Sequence, residues 1–556
     1  MTAHPPLTTQ RRLQAGAVLR HGGSSAYRAI EIVAGEPHVV RHDFGVGGPG
    51  GPGGTARALA CLVHITDLQL ADVQSPTRFE FLNRYFADHR YAGLVPVQRP
   101  QEALTPHTVD AMLRTVNRLS GPATGLPPQL AVTTGDAIDN AQWNEVQTFL
   151  ALFEGGLVTP DSGTPGYAGV QALDWPDDIF WKPDGHGPDG PDFFRREFGF
   201  PHWPGLLDRA MCEFPADGLR LPWLSCYGNH EALNQGVGAA TPGLAAALTG
   251  GQKPLGLPDG FDSDKALELF TVSPEAFMAG PARAVAADAA RRPITRQEFV
   301  AAHFRPDARP AGHGFTEQNR LAGTAYYVYD TPAVRFIALD TNCLAGGADG
   351  CLDRQQARWL EDRLSEVHSA CRGPAGQEVR TGAEDRLVVL FSHHGLDTLT
   401  NDRVAHLGPG GEPLLPAAEF MALLHRFPNV VLWLNGHTHT NAIRARRDPA
   451  DPARGFWEVT TCAVIDWPCQ TRIVELADSA GQLAITCTMV DHQSPLAPVP
   501  PAAAQFSGDD LAALHRELAV NIPFDGPHPG RSGEVTDRNV QLLITPPFPL
   551  SRLPAL

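Results

Sequence analysis

Five short segments carry the residue types that hold divalent metal ions: TDLQ at 66–69, GDAIDN at 135–140, GNHE at 228–231, SHHG at 392–395 and NGHTH at 435–439. Asp67, Asp136, Asn229, His393, His437 and His439 combine carboxylate, amide and imidazole donors, a mixture suited to borderline or hard divalent ions. Each fragment is weak by itself, because an Asp after a strand commonly caps a helix and a buried His is more often hydrogen-bonded than metallated. Together they argue for a metal centre. Two ions sharing one carboxylate would suit phosphoryl chemistry, since they clamp the attacking and leaving oxygens and activate a bridging water.

Gln69 stands where such a centre would more naturally place histidine. Its amide oxygen is a neutral donor, weaker than imidazole for zinc-like ions, so either it binds an ion loosely or it hydrogen-bonds a water on the ion. Both readings stay open. Asp139 and Asn140 are close enough in sequence to approach the same ion, but a turn role is the expectation.

Side chains so far apart in the chain need a scaffold that brings them together. Each segment directly follows an apolar run: ALACLVHIT (58–66), QLAVTT (129–134), PWLSCY (222–227), RLVVLF (386–391) and NVVLWL (429–434). Unbroken apolarity predicts strands buried on both faces. Between them, Val109, Met112, Leu113, Val116 and Leu119 follow helical spacing behind Thr105 and Pro106, and the stretches from Asp353 and from Pro416 read the same way. Residues 325–340 predict two strands around a Thr-Pro turn, and short strands return after Trp457, so the class is α/β with mixed sheets. In such sheets the loops at the carboxyl ends of parallel strands open on one crevice.

The order of the five segments resembles the calcineurin-like metallophosphoesterases, whose pattern is D-x-H, G-D, G-N-H-[ED], H and G-H-x-H. The likeness covers residues 59 to about 490 and departs at Gln69. FIALDTN followed by LDRQQARWLEDRL is similar to a segment of the phosphodiesterase and acid-phosphatase branches. The long insertions, GFPHWPGLLDRA and the terminal DRNVQLL look most like an actinobacterial branch whose members often carry export signals. The resemblance implies a two-layer mixed β-sandwich flanked by helices and two divalent ions, whether Mn, Fe, Zn or Mg. It implies that Asp136 bridges them, that Asp67 and His439, with Gln69, complete the first site, and that Asn229, His393 and His437 complete the second. His230 becomes the general acid or transition-state stabiliser, and His393 is preferred to His394 as ligand. The implied activity is hydrolysis of a phosphomonoester or phosphodiester by a metal-activated hydroxide. The altered position 69 motivates a rival, a non-catalytic metal- or phosphate-binding protein on the same scaffold; a nuclease is a third reading.

A net charge of −17 offers no global field for nucleic acid or anionic membrane, which disfavours the nuclease. The basic stretch 443–454 is broken by acids and prolines and is expected to be a solvated loop. No run reaches the ~18 apolar residues needed to span a bilayer. Arg11 and Arg12 would suit an export signal, yet the apolar stretch behind them ends at Arg20, so a cytoplasmic N-terminal extension is expected. The expected organisation is an extension with a Gly/Pro-rich linker over 1–56, a catalytic domain over 57–498 with irregular insertions at 155–220 and 233–320, and a C-terminal extension over 499–556 packing on that domain. The nine cysteines form no CxxC pair and are expected to be mostly reduced core thiols; Cys343 and Cys351 flank a Gly-rich loop and would pair in an oxidising compartment.

Overall fold

The structure is a computed structural model describing residues 6–46, 56–187, 190–403, 413–500, 502–524 and 530–556. Most of the expected linker at 45–54 lies outside the described residues. Strands β1 (Arg11–His21), β2 (Ala26–Ala34), β3 (Val39–Arg41), β4 (Arg57–Ile65), β5 (Leu130–Thr133) and β6 (Trp223–Leu224) come from the first half of the chain. The second half supplies β7 (Tyr327–Asp330), β8 (Val334–Ala338), β9 (Leu387–Phe391), β10 (Val430–Asn435), β11 (Ala442–Asp448), β12 (Asp451–Thr460), β13 (Gln470–Ser479), β14 (Gln482–Asp491) and β15 (Val540–Ile544). A seven-stranded sheet runs β3-β15-β14-β13-β4-β5-β6, and a six-stranded sheet runs β7-β8-β9-β10-β12-β11. Both are mixed. β4, β5 and β6 are parallel to one another, as are β8, β9, β10 and β12, so each sheet sends several carboxyl ends the same way.

Side-chain alternation explains how the sheets stack. Phe336, Val389, Phe391, Leu432 and Leu434 join Leu62, Val132 and Ile473 of the larger sheet in one hydrophobic cluster. Their neighbours Ile337, Val388, Leu390 and Trp433 face the other way, onto Leu360 and Leu364 of α3 (Arg354–Ser365) and Phe420 and Leu424 of α4 (Ala417–His425). The larger sheet is covered by α1 (Thr105–Val116) and α2 (Trp143–Glu154), whose Val109, Met112, Phe149 and Phe153 belong to the shared cluster. The five core strands therefore have both faces buried, as their unbroken apolarity required.

The chain departs from its sequence reading at the basic stretch and in the order of its insertions. The basic stretch 443–454 is no loop: it lies in the antiparallel pair β11–β12, with Arg446 opposite Phe456. β11 is the edge of its sheet, where charged side chains reach solvent and discourage pairing with another chain. The stretch behind Arg11 and Arg12 is β1, paired antiparallel with β2. The insertions also carry more order than their Gly, Pro and Asp content suggested. Phe194, Phe198 and Phe200 pack with Leu511, Leu514 and Leu518 of α5 (Gly508–Ala519), and Phe79, Phe270 and Phe277 form a second aromatic cluster. Beyond the 57–498 segment, β3 and β15 are strands of the larger sheet. All nine cysteines are free thiols, eight of them buried, with Cys343 and Cys351 in hydrogen-bond contact. Among the described residues no helix is long and apolar enough to cross a membrane.

Trp457 joins the two layers. Its ring is fully buried against Phe44 at 5.2 Å, and its Nε1 donates across the core to the Leu543 carbonyl at 3.3 Å. Trp457→Ala is expected to cost about 3–5 kcal/mol through lost transfer energy and the cavity left behind. Urea unfolding followed by circular dichroism checks this; a loss under about 1 kcal/mol would show that the sheets pack without it.

Candidate metal centre

The donors converge because each hangs from the end of a buried strand. After β4 the chain turns at Asp67, whose N–H donates to the Gly135 carbonyl at 3.2 Å, and Gln69 N–H donates to the Asp136 carbonyl at 2.9 Å, tying the first two segments together. His230 N–H donates to Asp136 Oδ1 at 3.0 Å, and Gly436 N–H donates to the His393 carbonyl at 3.0 Å. The turns are sharp. Asp67, Gln69, Asp136, His437 and His439 all have positive φ, between 42° and 69°, which costs a non-glycine residue on the order of 1–3 kcal/mol. At Gly436 a Cβ would lie 2.4 Å from Asp67 Oδ2, and at Gly228 one would lie 2.2 Å from Asp136 Oδ1, so only glycine lets these backbones pass the carboxylates.

Seven of the eight residues singled out from the sequence touch one another here, and Asn229 stands between Gly228 and His230, both of which lie against Asp136. Donor atoms of Asp67, Asp136 and His393 lie within 4.8 Å of one another. His439 Nε2 is 3.3 Å from Asp67 Oδ1, His393 Nε2 is 3.1 Å from Asp136 Oδ2, and His437 Nδ1 is 3.2 Å from His393 Nε2. Asn229 Nδ2 donates to the Gly236 carbonyl, leaving its buried Oδ1 without a partner. Gln69 Oε1 is likewise buried and unpartnered, while Nε2 sits 3.2 Å from His230 Nε2 and 3.3 Å from His439 Nε2. Two orphaned amide oxygens beside two carboxylates and three imidazoles are acceptors with nothing to accept, and a cation fits them.

Neighbouring side chains aim the imidazoles. His393 Nδ1 bonds the Thr134 carbonyl at 2.8 Å and His439 Nδ1 bonds Asp466 Oδ2 at 2.5 Å, so each turns Nε2 to the centre. His437 presents Nδ1 instead, with Asp349 Oδ1 3.7 Å from its Nε2. His394 has a ring nitrogen within 4.8 Å of donor atoms of His393 and His437, but both its nitrogens are engaged, one by Thr341 Oγ1 and one by the Ala348 carbonyl, each at 2.9 Å. Asp139 lies behind His230, its carbonyl 2.8 Å and its Oδ1 3.4 Å from His230 Nδ1. Asn140 accepts from Asn234 Nδ2 at 2.5 Å and Gln235 N–H at 3.0 Å, a turn role.

Three participants escaped sequence reasoning. Glu231, whose carboxylate accepts from the N–H groups of Asp136, Ala137 and Gly228 at 2.6–2.9 Å, clamps two of the loops. Its place after His230 at the start of a helical turn was a signal. Asp466 and Arg531 had none: Asp466 follows the end of β12, and Arg531, in the C-terminal segment, reaches back to pair with it. No protein-family model matches this chain, and no curated protein matches it.

Burial works against charge throughout, and the pairs decide the outcome. Burial is the largest single influence and would lower the pKa of His393 and His230, but Asp136 acting with Asp67 and the Thr134 carbonyl on His393, and with Asp139 on His230, together outweigh it and push each up to about 9. His439 is raised too, by Asp67 and Asp466 against burial. With its pKa held up in this way, His393 would have to give up a proton to take a cation, so ion and proton would compete. The apparent affinity for Mn²⁺ is expected to rise with pH from 7 towards 9, about tenfold per unit for each proton displaced. Calorimetric titration in buffers of different ionisation enthalpy counts those protons; an affinity flat over that range would exclude the competition.

Proposed function

We propose that the protein is a dinuclear metal-dependent phosphoesterase of the calcineurin-like type, acting on a phosphomonoester or phosphodiester. The observation that carries this reading is the convergence of Asp67, Asp136, Asn229, His393, His437 and His439 at parallel strand ends, with His230 alongside and aimed by Asp139. Asp67, His439 and Gln69 would hold one ion, Asn229, His393 and His437 the other, and Asp136 both. Bound divalent ions supply Lewis acidity to the phosphoryl oxygens and lower the pKa of water.

The chain's own residues do the rest. His230 keeps a proton because Asp136 and Asp139 flank it, and its Nε2 opens towards Gln69 and the centre, so it stabilises charge on a departing oxygen or delivers the proton. Glu231 holds the Asp136 loop by three backbone donors and its own loop by the Gly228 N–H, keeping the shared carboxylate from swinging away. The two unpartnered amide oxygens add donors without charge, leaving the site less negative than an all-carboxylate one.

Chelator-stripped protein is expected to lose hydrolysis of 4-nitrophenyl phosphate and bis(4-nitrophenyl) phosphate, and Mn²⁺ to restore it. Asp136→Ala should empty both sites, read as metal per chain by elemental analysis. Full turnover after stripping, or two ions retained by the variant, would refute the proposal.

His230→Ala is expected to keep its metal and lower kcat by about 10²–10⁴, with poor leaving groups suffering most. Loss of metal with unchanged turnover per bound ion would make His230 a ligand instead.

A further inference from the structure

On the side of the centre away from the donors runs a closed circuit of buried charge. Asp466, which holds His439 Nδ1, also takes Arg99 Nε at 2.8 Å. Arg99 Nη1 lies 3.7 Å from Glu102 Oε1, and Glu102 Oε2 lies 2.8 Å from Arg78 Nη1. Arg78 Nε is 3.3 Å from Asp139 Oδ2, and Asp139 backs His230. On the donor side Gln69 Nε2 touches the Nε2 of both histidines, at 3.2 and 3.3 Å, and closes the ring. Signs alternate around it, and Arg531 on Asp466 brings the guanidinium groups to three, matching the three carboxylates.

A circuit so deeply buried is a poor way to gain stability, since apolar side chains of the same volume would hold the fold as well. What it does supply is geometry. Asp466 and Asp139 can aim their histidines only if they are themselves held: Asp466 by Arg99 and Arg531, Asp139 by Arg78, with Glu102 among the partners of both Arg99 and Arg78. Glu102 is 2% exposed, touches neither histidine, and stands between the two arms.

We propose that Glu102, with Arg78 and Arg99, is a positioning array that sets the orientation of His439 and of His230 together, so that the ion-holding and proton-holding sides of the centre are aligned by one buried carboxylate. This rests on the phosphoesterase reading above. Glu102 is a positioning residue, acting through the arginines. Its removal must therefore be felt at both ends.

The test is Glu102→Gln, which keeps shape and one acceptor oxygen but removes the charge and turns the other oxygen into a donor. Two quantities are read: Mn²⁺ affinity of the metal-free protein by calorimetry, and the ratio of kcat for phenyl phosphate to that for 4-nitrophenyl phosphate in the loaded protein. Both are expected to fall, by on the order of 10-fold, the low end for changes behind a ligand. Arg99→Lys, nearer the surface, should move both in the same direction and stands in if Glu102→Gln does not fold. A fall in thermal stability with both quantities as in the wild type, or a change at one end only, overturns the array while leaving the phosphoesterase reading intact. A wild-type protein that binds no Mn²⁺ or hydrolyses neither ester overturns both.

Discussion

The centre depends on backbone held where backbone does not want to be. Five of its residues sit in the left-handed region at the ends of buried strands, and their summed strain is of the same order as the net stability of an ordinary domain. Such turns persist only where the surroundings leave the chain no alternative. Here the surroundings are two sheets sharing one core, with strand ends that cannot fray because every apolar side chain behind them is buried.

Given those fixed ends, the chemistry of the pocket follows from which acceptors are satisfied. Asp136 is supported from one side by the His230 N–H and from the other by His393, and the backbone of its loop is gripped by Glu231. Asn229 and Gln69 each keep one oxygen free. The carboxylates raise the pKa of His393, His230 and His439 against the effect of burial, whereas burial lowers that of His437.

The segments outside the central strands are not ornament. Arg531 comes from the far end of the chain to Asp466, β15 extends the larger sheet, and α5 covers aromatic side chains of the first insertion. The Gly-rich loop between Cys343 and Cys351 presents Asp349 to His437 and the Ala348 carbonyl to His394. Long-range contacts therefore support both halves of the donor set.

By itself the sequence determined the α/β class and the five core strands, and it singled out the candidate donors, because continuous apolarity followed at once by metal-type side chains is a local signal that needs no partner to be read. It also determined that Gln69 is the odd member. Only the tertiary structure decided that Gln69 lies between His230 and His439, that His394 is occupied on both nitrogens, and that Asp139 serves His230. It also decided that the basic stretch at 443–454 is a sheet edge, since strand pairing is set by a partner rather than by charge pattern. Asp466, Arg99, Glu102 and Arg531 were invisible beforehand for one reason. A buried charge is tolerated only by its partner, and Asp466 finds its partners 367 and 65 residues away, at distances along the chain that no periodicity encodes.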